Sequence, residues 1–223
     1  QLGHWDAWMR AEASEPLIFV AWLRESVRAI FADDLGPAFA QFFSPRVKTM
    51  TRLLKGDATG RDWCDNRITG VQESCGEVLV KALKRAIQDL ERQFGSDRSQ
   101  WSWGKAHVAI GENHVFGKLP LIGRYFDIGT ASPGGPYTLN RGVTEFGREM
   151  PFANRHASTY GAIYDLGNLD NSLFMQPTGQ SGNPFSRYYR TFEISWAEGR
   201  YIQIPTDRAL IQREAIGSWQ LLP

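Results

Sequence analysis

The sequence has almost no excess of charge of either sign. Its 223 residues include 25 Lys and Arg against 24 Asp and Glu, which gives a formal net charge of +1. Proteins that bind nucleic acid usually carry a marked excess of Lys and Arg, so we expect no nucleic-acid partner. Aromatic residues make up 13% of the chain. This content and the low net charge disfavour a disordered chain and indicate a substantial core.

The chain also lacks a long apolar run. The longest, from Leu17 to Leu23, is far shorter than the roughly 20 residues that a transmembrane helix needs, so we expect no membrane span. Residue 1 is Gln, and the charged, apolar and small-residue regions of a signal peptide do not follow it. We therefore expect a cut or processed piece of a protein that does not span a membrane.

Glycine and proline are scarce in the first part of the chain. Residues 1–95 contain 7 of the 22 glycines and 3 of the 11 prolines, and residues 96–223 contain the other 15 and 8. We therefore predict an α+β fold, with a mainly helical segment over residues 1–95 and a strand- and turn-rich segment over residues 96–223.

Two long helices are predicted in the first segment. Apolar side chains recur every three or four residues from Glu73 to Phe94, and Gly95 is a suitable residue to end that helix. Pro16 suits the first turn of the other helix, which should end near Gly36. Shorter helices are predicted over Leu2–Ala13, Phe39–Phe43, Arg187–Glu198 and Asp207–Ala215.

Three strands are predicted in the second segment. Side chains alternate from Ala157 to Leu166, as expected of a strand with one apolar face. After a polar turn, Leu173–Gln176 is predicted to pair with it. Ser218–Leu222 is predicted to close the chain as a further strand.

The chain contains only two cysteines, Cys64 and Cys75, with ten residues between them. Two cysteines this close, with none left over, suit a disulfide formed in an oxidising compartment. The alternative is a pair of reduced, buried thiols. A zinc site is disfavoured because zinc needs three or four ligands and no histidine lies near the pair.

No catalytic set is evident among the serines and histidines. Ser181 lies in a Gly-rich loop, but Asn183 replaces the glycine that a nucleophile elbow requires, so a turn is expected. The histidines lack the spacing of a zinc protease and are interpreted as mainly structural. His107 and His156 are the stronger candidates for a functional role. The other two histidines are His4 and His114.

Two carboxylate pairs are candidates for acid–base chemistry. Asp33 and Asp34 come at the end of a predicted helix, where they should be solvated. Asp165 and Asp170 flank a predicted turn, where aspartate caps backbone N–H groups. Neither pair is predicted to be catalytic.

Aromatic side chains suggest a second class of function. Trp101 and Trp103 could stack on a sugar, although aromatics two residues apart more often bury one face of an extended segment. An alternative function is therefore a secreted, non-enzymatic module that binds carbohydrate or peptide through exposed aromatics, including Tyr160.

An ordered series of motifs nevertheless resembles one family across essentially all 223 residues. The chain is similar to the C-terminal part of the β-subunit of the penicillin acylases, which are N-terminal-nucleophile amidohydrolases. The motifs are Trp5–Met9, Trp63-Cys64-Asp65, Glu73-Ser74-Cys75, the Trp-x-Trp-Gly-x-x-His series of Trp101–His107, Gly134–Asn140, His156–Tyr160 and Gly179–Pro184. The cysteine motifs look most like the branch with cyclic-lipopeptide and acyl-homoserine-lactone acylases. The chain departs from the family at Pro136, where Asp is frequent, and at Arg187-Tyr188-Tyr189, where His-Tyr is common.

The resemblance implies hydrolysis of linear amide bonds. In this family the first residue of the β-subunit, usually Ser, is the nucleophile after autoproteolysis, and its α-amine is the base. The nucleophile, the catalytic Asn, the supporting Arg and the calcium ligands lie upstream of the motif at Trp5, and the amide side chain of Gln1 cannot replace the nucleophile. We therefore expect no catalytic, cofactor-binding or metal residue in this chain, and no amidase activity from it alone.

The resemblance also implies partners and a compartment. The expected partners are the remainder of the β-subunit and the α-subunit of the same precursor. Strand edges exposed by removal from a larger sheet could add a homo-oligomer. The family and the expected disulfide both indicate a periplasmic or secreted protein, and the chain should form part of an αββα N-terminal-nucleophile hydrolase fold.

Overall fold

The computed structural model describes residues 2–56 and 62–221. The chain divides into two compact units: Gln1–Glu112 with Gly129–Ala157, and Asn113–Ile128 with Ser158–Pro223. These bounds differ from the segments 1–95 and 96–223 expected from composition. Composition reports local helix and turn content, whereas residues 129–157 pack with the helical unit despite their many glycines.

The first unit contains most of the helices. They are α1 (Glu15–Leu35), α2 (Phe39–Phe42), α3 (Val47–Leu54), α4 (Cys75–Phe94) and the single turn α5 (Trp103–Ala106). The two long helices and the short helix at Phe39 confirm the predictions. Over the predicted helix Leu2–Ala13, only a 3₁₀ turn at Leu2–His4 forms.

Helix α1 is the centre of the core of the first unit. Its buried residues lie on all sides of the helix, including Leu17, Val27 and Ile30, each with 0% exposure. Helix α4 packs along it with a face that includes Ala86 and Leu90. The indole N–H of Trp22 also donates a hydrogen bond to the carbonyl of Leu79 at 2.9 Å, which joins the two helices.

Sequence signals set both ends of α4. The Ser74 hydroxyl accepts a hydrogen bond from the Glu77 backbone N–H, and the Glu77 carboxylate accepts one from the Ser74 backbone N–H, which completes a capping box. At the other end, Gly95 has φ of 87°, a left-handed conformation that favours glycine.

The strands are short and form three small sheets. They are β1 (Val108–Gly111), β2 (Ile128–Ala131), β3 (Gly142–Val143), β4 (His156–Ala157), β5 (Gly161–Ile163), β6 (Leu173–Met175) and β7 (Ile202–Gln203). β1 lies beside β2, and β3 pairs antiparallel with β4. In the second unit, β6 lies between β5 and β7 in an antiparallel sheet. Gly161 is opposite Met175, and Phe174 is opposite both Ala162 and Ile202.

Three predicted elements of the second half need correction. The strand predicted over Ala157–Leu166 is broken into β4 and β5, which belong to different sheets. The helix predicted over Arg187–Glu198 is reduced to α6 (Glu193–Ala197), whereas α7 (Arg208–Glu214) confirms the next predicted helix. Residues 218–221 of the predicted last strand form no strand, and Leu222 lies outside the described residues.

No helix in the described part of the chain is both long enough and apolar enough to cross a membrane.

Candidate functional site

His107 is the one histidine that the structure buries, with 0% exposure. His4, His114 and His156 are all exposed. The single turn α5 places His107 four residues after Trp103, and the His107 backbone N–H donates to the Trp103 carbonyl at 2.7 Å. The two rings stack with centroids 4.3 Å apart. The motif spacing therefore creates an aromatic–imidazole pair inside the first unit.

A main-chain hydrogen bond selects the tautomer of neutral His107. The Nδ1 atom lies 2.7 Å from the carbonyl oxygen of Phe152, and a carbonyl can only accept, so Nδ1 carries the proton. Burial lowers the pKa of His107 to about 4, although the hydrogen bond to Phe152 opposes that shift. The imidazole is therefore neutral at pH 7 and its Nε2 has a free lone pair.

Ser132 and Asn154 extend the buried polar cluster around His107. The Ser132 hydroxyl donates to the His107 carbonyl at 2.8 Å, and the Asn154 amide donates to that hydroxyl at 3.2 Å. The Asn154 backbone N–H also donates to the Val108 carbonyl at 2.9 Å, beside β1. These contacts join segments that are distant in sequence, so the cluster fixes the interior of the first unit.

Gly142 closes the cluster at the point where His107 and Asn154 meet. A Cβ atom at residue 142 would lie 2.4 Å from Nε2 of His107 and 2.7 Å from the amide nitrogen of Asn154. Within the described residues, His107 Nε2, Asn154 Oδ1 and Thr144 Oγ1 are buried without a hydrogen-bond partner. His107, Ser132 and Asn154 are at most 2% exposed, so the cluster is closed to solvent in this arrangement.

The loop around Ser181 is a backbone turn. The Ser181 hydroxyl accepts a hydrogen bond from the Asn183 backbone N–H at 3.1 Å, as in a serine turn. Gly179 does not have positive φ. A Cβ there would instead lie 1.7 Å from the Tyr188 carbonyl oxygen, so close approach of two backbone segments requires glycine. That this serine is not a nucleophile stays a prediction.

Both carboxylate pairs have structural roles. Asp170 accepts hydrogen bonds from the Thr206 backbone N–H, the Thr206 hydroxyl and the Asp207 backbone N–H, and these contacts lower its pKa. Asp165 caps its own turn in the same way, through the backbone N–H groups of Asn168 and Gly167.

Asp33 and Asp34, at the end of α1, were expected to be solvated, but both are bound by another segment of the chain. Asp33 accepts a hydrogen bond from the Arg67 backbone N–H at 2.9 Å. The Arg67 guanidinium lies 3.2 Å from the Asp34 carboxylate, whose side chain is 4% exposed. The two aspartates therefore hold the segment that contains Arg67 against the end of the helix.

Trp101 and Trp103 are buried, as the spacing of the two aromatics favours, and are not available to stack on a sugar. Trp101 and Trp103 are 2% and 0% exposed. Their indole N–H groups donate to the carbonyls of Gly95 and Gly134 at 2.9 and 2.8 Å. The two tryptophans belong to the core, so they do not form a platform for carbohydrate. Tyr160 is exposed.

Cys64 and Cys75 form the predicted disulfide, with their Cα atoms 4.9 Å apart. Asp62 lies beside them and completes the one group of three potential metal ligands found among residues 2–56 and 62–221. Both sulfurs are used by the disulfide, so the group cannot hold zinc, and calcium prefers oxygen ligands. The disulfide instead ties the preceding loop to the first residue of α4.

Comparison with known proteins identifies the family to which this chain belongs. The family model described as Penicillin amidase matches residues 1–213. This chain belongs to the penicillin amidase family.

Penicillin amidase relatives include enzymes named for two substrates. An acyl-homoserine lactone acylase QuiP from Pseudomonas aeruginosa is 29% identical over 218 residues, and one from Pseudomonas syringae pv. syringae is 30% identical over 210. They cover 90% and 91% of this chain. Penicillin acylase 2 proenzyme from a Pseudomonas species is 26% identical and covers 98% of it. The chain spans only 26%, 25% and 28% of the three relatives.

Part of a solved penicillin acylase has a similar fold. The thermostable penicillin G acylase from Alcaligenes faecalis matches with a TM-score of 0.52 and 16% identity, over 95% of this chain and 38% of that one. The mixture of helices and small antiparallel sheets confirms the predicted α+β portion of an N-terminal-nucleophile hydrolase fold.

Sequence reasoning missed the partners of His107. Ser132, Gly142 and Asn154 come from three separate segments of the chain, and none lies in a recognisable spacing with the histidine. The only available signal was the Trp-x-Trp-Gly-x-x-His series, which gives the histidine and its stacking partner but not the residues that enclose them.

Proposed function

We propose that this chain is the C-terminal part of the β-subunit of an amidohydrolase that cleaves linear amide bonds. The observation that carries the proposal is the family match over residues 1–213, together with a chain that spans about a quarter of its curated relatives. The nucleophile is then the N-terminal Ser of the β-subunit, in a part of the protein outside these 223 residues.

The proposed reaction is acyl transfer to that serine, followed by hydrolysis. The α-amine of the serine takes the hydroxyl proton, and Oγ attacks the amide carbonyl carbon. The C–N bond breaks, and the amine leaves with the proton. Water then attacks the ester and releases the carboxylic acid. Backbone N–H groups and an Asn side chain outside this chain stabilise the oxyanion.

The contribution of this chain is structural. His107 is neutral, buried and bonded to Phe152, and Ser181 is held in a turn, so neither is suited to bind or activate a substrate. We therefore propose that the isolated chain does not hydrolyse amides. Its role is to supply the helical core around α1 and α4 and the outer sheet of the second unit.

The names of the relatives suggest the first substrates to test. N-acyl-homoserine lactones and penicillins each contain a linear amide between an acyl group and an amine, and both names occur among the matched proteins. The proposed partners are the remainder of the β-subunit and the α-subunit. The proposed location is the periplasm or the outside of the cell, which the disulfide supports.

Calcium is a metal that the family often binds. The group formed by Asp62, Cys64 and Cys75 does not fit calcium. We propose that any calcium is held by residues outside these 223, and no step of the reaction proposed above depends on it.

The test is turnover by the complete product of the gene that encodes this chain. Amidohydrolase activity on an N-acyl-homoserine lactone releases homoserine lactone with a free amine, which an amine-reactive dye detects. The β-subunit variant with Ala at its N-terminal Ser should lose turnover, and Ser181→Ala should keep it. Opening of the lactone ring with the amide intact, or turnover by the 223-residue chain alone, would contradict the proposal.

A further inference from the structure

The three-stranded sheet of the second unit has one face lined by aromatic and aliphatic side chains. We define the tyrosine face as Tyr160, Tyr164, Phe174 and Ile202. The rings of Tyr160 and Phe174 meet edge to face with centroids 5.4 Å apart, and the hydroxyls of Tyr160 and Tyr164 are in contact. Phe174 of β6 pairs directly with Ile202 of β7, so their side chains are on the same side of the sheet.

Much of the tyrosine face is open to solvent. Tyr160 is 62% exposed, Tyr164 55% and Ile202 37%. None of its four side chains is charged. Tyrosine and phenylalanine are enriched, and charged residues depleted, at the cores of protein interfaces, whereas an isolated surface of this kind is costly to expose.

On the opposite face of the same sheet, the chain itself covers the position of Gly161 and Met175. Gly161 of β5 is opposite Met175 of β6, and Met175 is 3% exposed. A Cβ atom at residue 161 would be 3.3 Å from Cε1 of Tyr201, which shows that the ring of Tyr201 lies over Gly161. At this position the side of the sheet opposite Phe174 is packed, whereas Ile163 and Tyr201 on that side are 55% and 42% exposed.

The sequence of β6 predicts burial on both faces. Leu173, Phe174 and Met175 are consecutive apolar residues, whereas a strand with one solvated face normally alternates apolar and polar residues. The strands of this sheet also have only two or three residues each, which is shorter than the usual strand of about five or six. Both features indicate a sheet whose second layer is supplied from elsewhere.

We infer that the tyrosine face is a docking surface for an apolar segment of the same family polypeptide that lies outside these 223 residues. The inference rests on the proposed function, because that proposal places this chain within a longer protein. The curated relatives are about four times as long as the matched region, so about three quarters of such a polypeptide must pack against something. A face of tyrosines and aliphatic side chains without charge fits an apolar segment rather than a charged one.

Hydroxyl-radical footprinting of the complete gene product tests the docking surface directly. Oxidation rates of Tyr160 and Tyr164 are compared with free N-acetyl-tyrosine amide, and Tyr137, which is also 62% exposed, is the internal reference in the 223-residue chain. In the complete product, we expect the oxidation rates of Tyr160 and Tyr164 to be at least tenfold lower than the rates predicted from their exposed fractions in this chain. Reaction at the rate expected for half-exposed tyrosines would overturn the inference.

Two variants separate the two faces. Ile202→Glu places a charge on the tyrosine face, and Gln203→Glu places the same charge one residue later, on the opposite face. In the complete product, Ile202→Glu should raise the oxidation rate of Tyr160 and Tyr164 at least fivefold, and Gln203→Glu should leave it unchanged. Equal effects of the two variants would overturn the inference.

The same samples distinguish other occupants. Protection that disappears on dilution, together with a dimeric mass, would mean that a second copy covers the face. Protection that requires added oligosaccharide would mean a glycan site, and either result overturns the inference. Amide turnover is measured in parallel: loss of activity with protection retained counts against the proposed function alone, and turnover without protection counts against the docking surface alone.

Discussion

The Nδ1–H of His107 donates a hydrogen bond to the main-chain carbonyl of Phe152 at 2.7 Å, inside a core from which solvent is excluded. This contact selects one tautomer of the imidazole and directs the other nitrogen toward Gly142. Burial keeps the imidazole of His107 neutral at pH 7.

Stability should depend on pH through His107. Burial lowers its pKa in the folded state to about 4, so the unfolded chain, with a pKa near 6.5, binds the proton more tightly. The contribution to the free energy of unfolding is complete above pH 6.5 and falls as the pH drops from 6.5 to about 4, by about 3 kcal/mol. Urea denaturation across this range measures the slope. His107→Asn should remove the slope, and the exposed control His156→Asn should not.

Gly142→Ala should destabilise the first unit. The added methyl would lie 2.4 Å from His107 Nε2, so the cluster must move, at a cost of about 2–3 kcal/mol in the free energy of unfolding. Gly182→Ala is the matched control, because no heavy atom lies within 4 Å of the added Cβ. Thermal unfolding of both variants measures the difference. A tolerated alanine at residue 142 would mean that the His107 cluster is loosely packed.

Removal of the disulfide should loosen the entry to α4. Cys64 and Cys75 are 11 residues apart, so the bond should contribute on the order of 3 kcal/mol by restricting the unfolded chain. Chemical denaturation of the double variant with Ala at both positions should show this loss. The wild-type chain in reducing agent should shift to the same midpoint. A wild-type midpoint that is insensitive to reduction would contradict the assignment of a stabilising bond.

Ser74→Ala should weaken the start of α4. The substitution removes the acceptor for the Glu77 backbone N–H and should cost about 1 kcal/mol. Ser74→Thr retains the hydroxyl and should lose much less. Hydrogen exchange of residues 75–80 measures the effect locally, and faster exchange confined to the alanine variant is expected.

Asp170→Ala should release the start of α7. The carboxylate accepts three hydrogen bonds from Thr206 and Asp207, so its loss leaves those donors without their protein acceptor. The same contacts lower the pKa of Asp170, so their stabilising effect is present above its usual value of 3.8 and is lost as the pH falls through the lower, folded-state value. Hydrogen exchange of residues 206–214 measures the release. Asp207→Asn is the control, because its Oδ1 can still cap the Leu210 backbone N–H.

The long helices could be predicted because their signals are local. Helix α4 has an apolar stripe, a capping box at Ser74 and a glycine at residue 95. The pairing of β5 with β6 was also predictable, since a polar turn separates two short apolar runs. These features depend on residues that are close in sequence.

Elements that depend on distant contacts could not be predicted in the same way. The helix predicted from Arg187 begins only at Glu193, because the carbonyls of Tyr188 and Tyr189 accept hydrogen bonds from Ser181 and Gly179 instead of from the next helical turn. The enclosure of His107 likewise depends on segments 25 to 47 residues away in the chain. Periodicity contains no information about either contact.

Covalent labelling of the nucleophile tests most directly the proposal that this chain is the non-nucleophilic part of an amidohydrolase. The complete gene product is treated with a sulfonyl fluoride that reacts with activated serine hydroxyls, and the adduct is located by peptide mass spectrometry as amide turnover stops. We predict one adduct, on the first residue of a processed chain and outside these 223 residues. An adduct on Ser181, or on any other residue of this chain, in step with the loss of turnover would contradict the proposal.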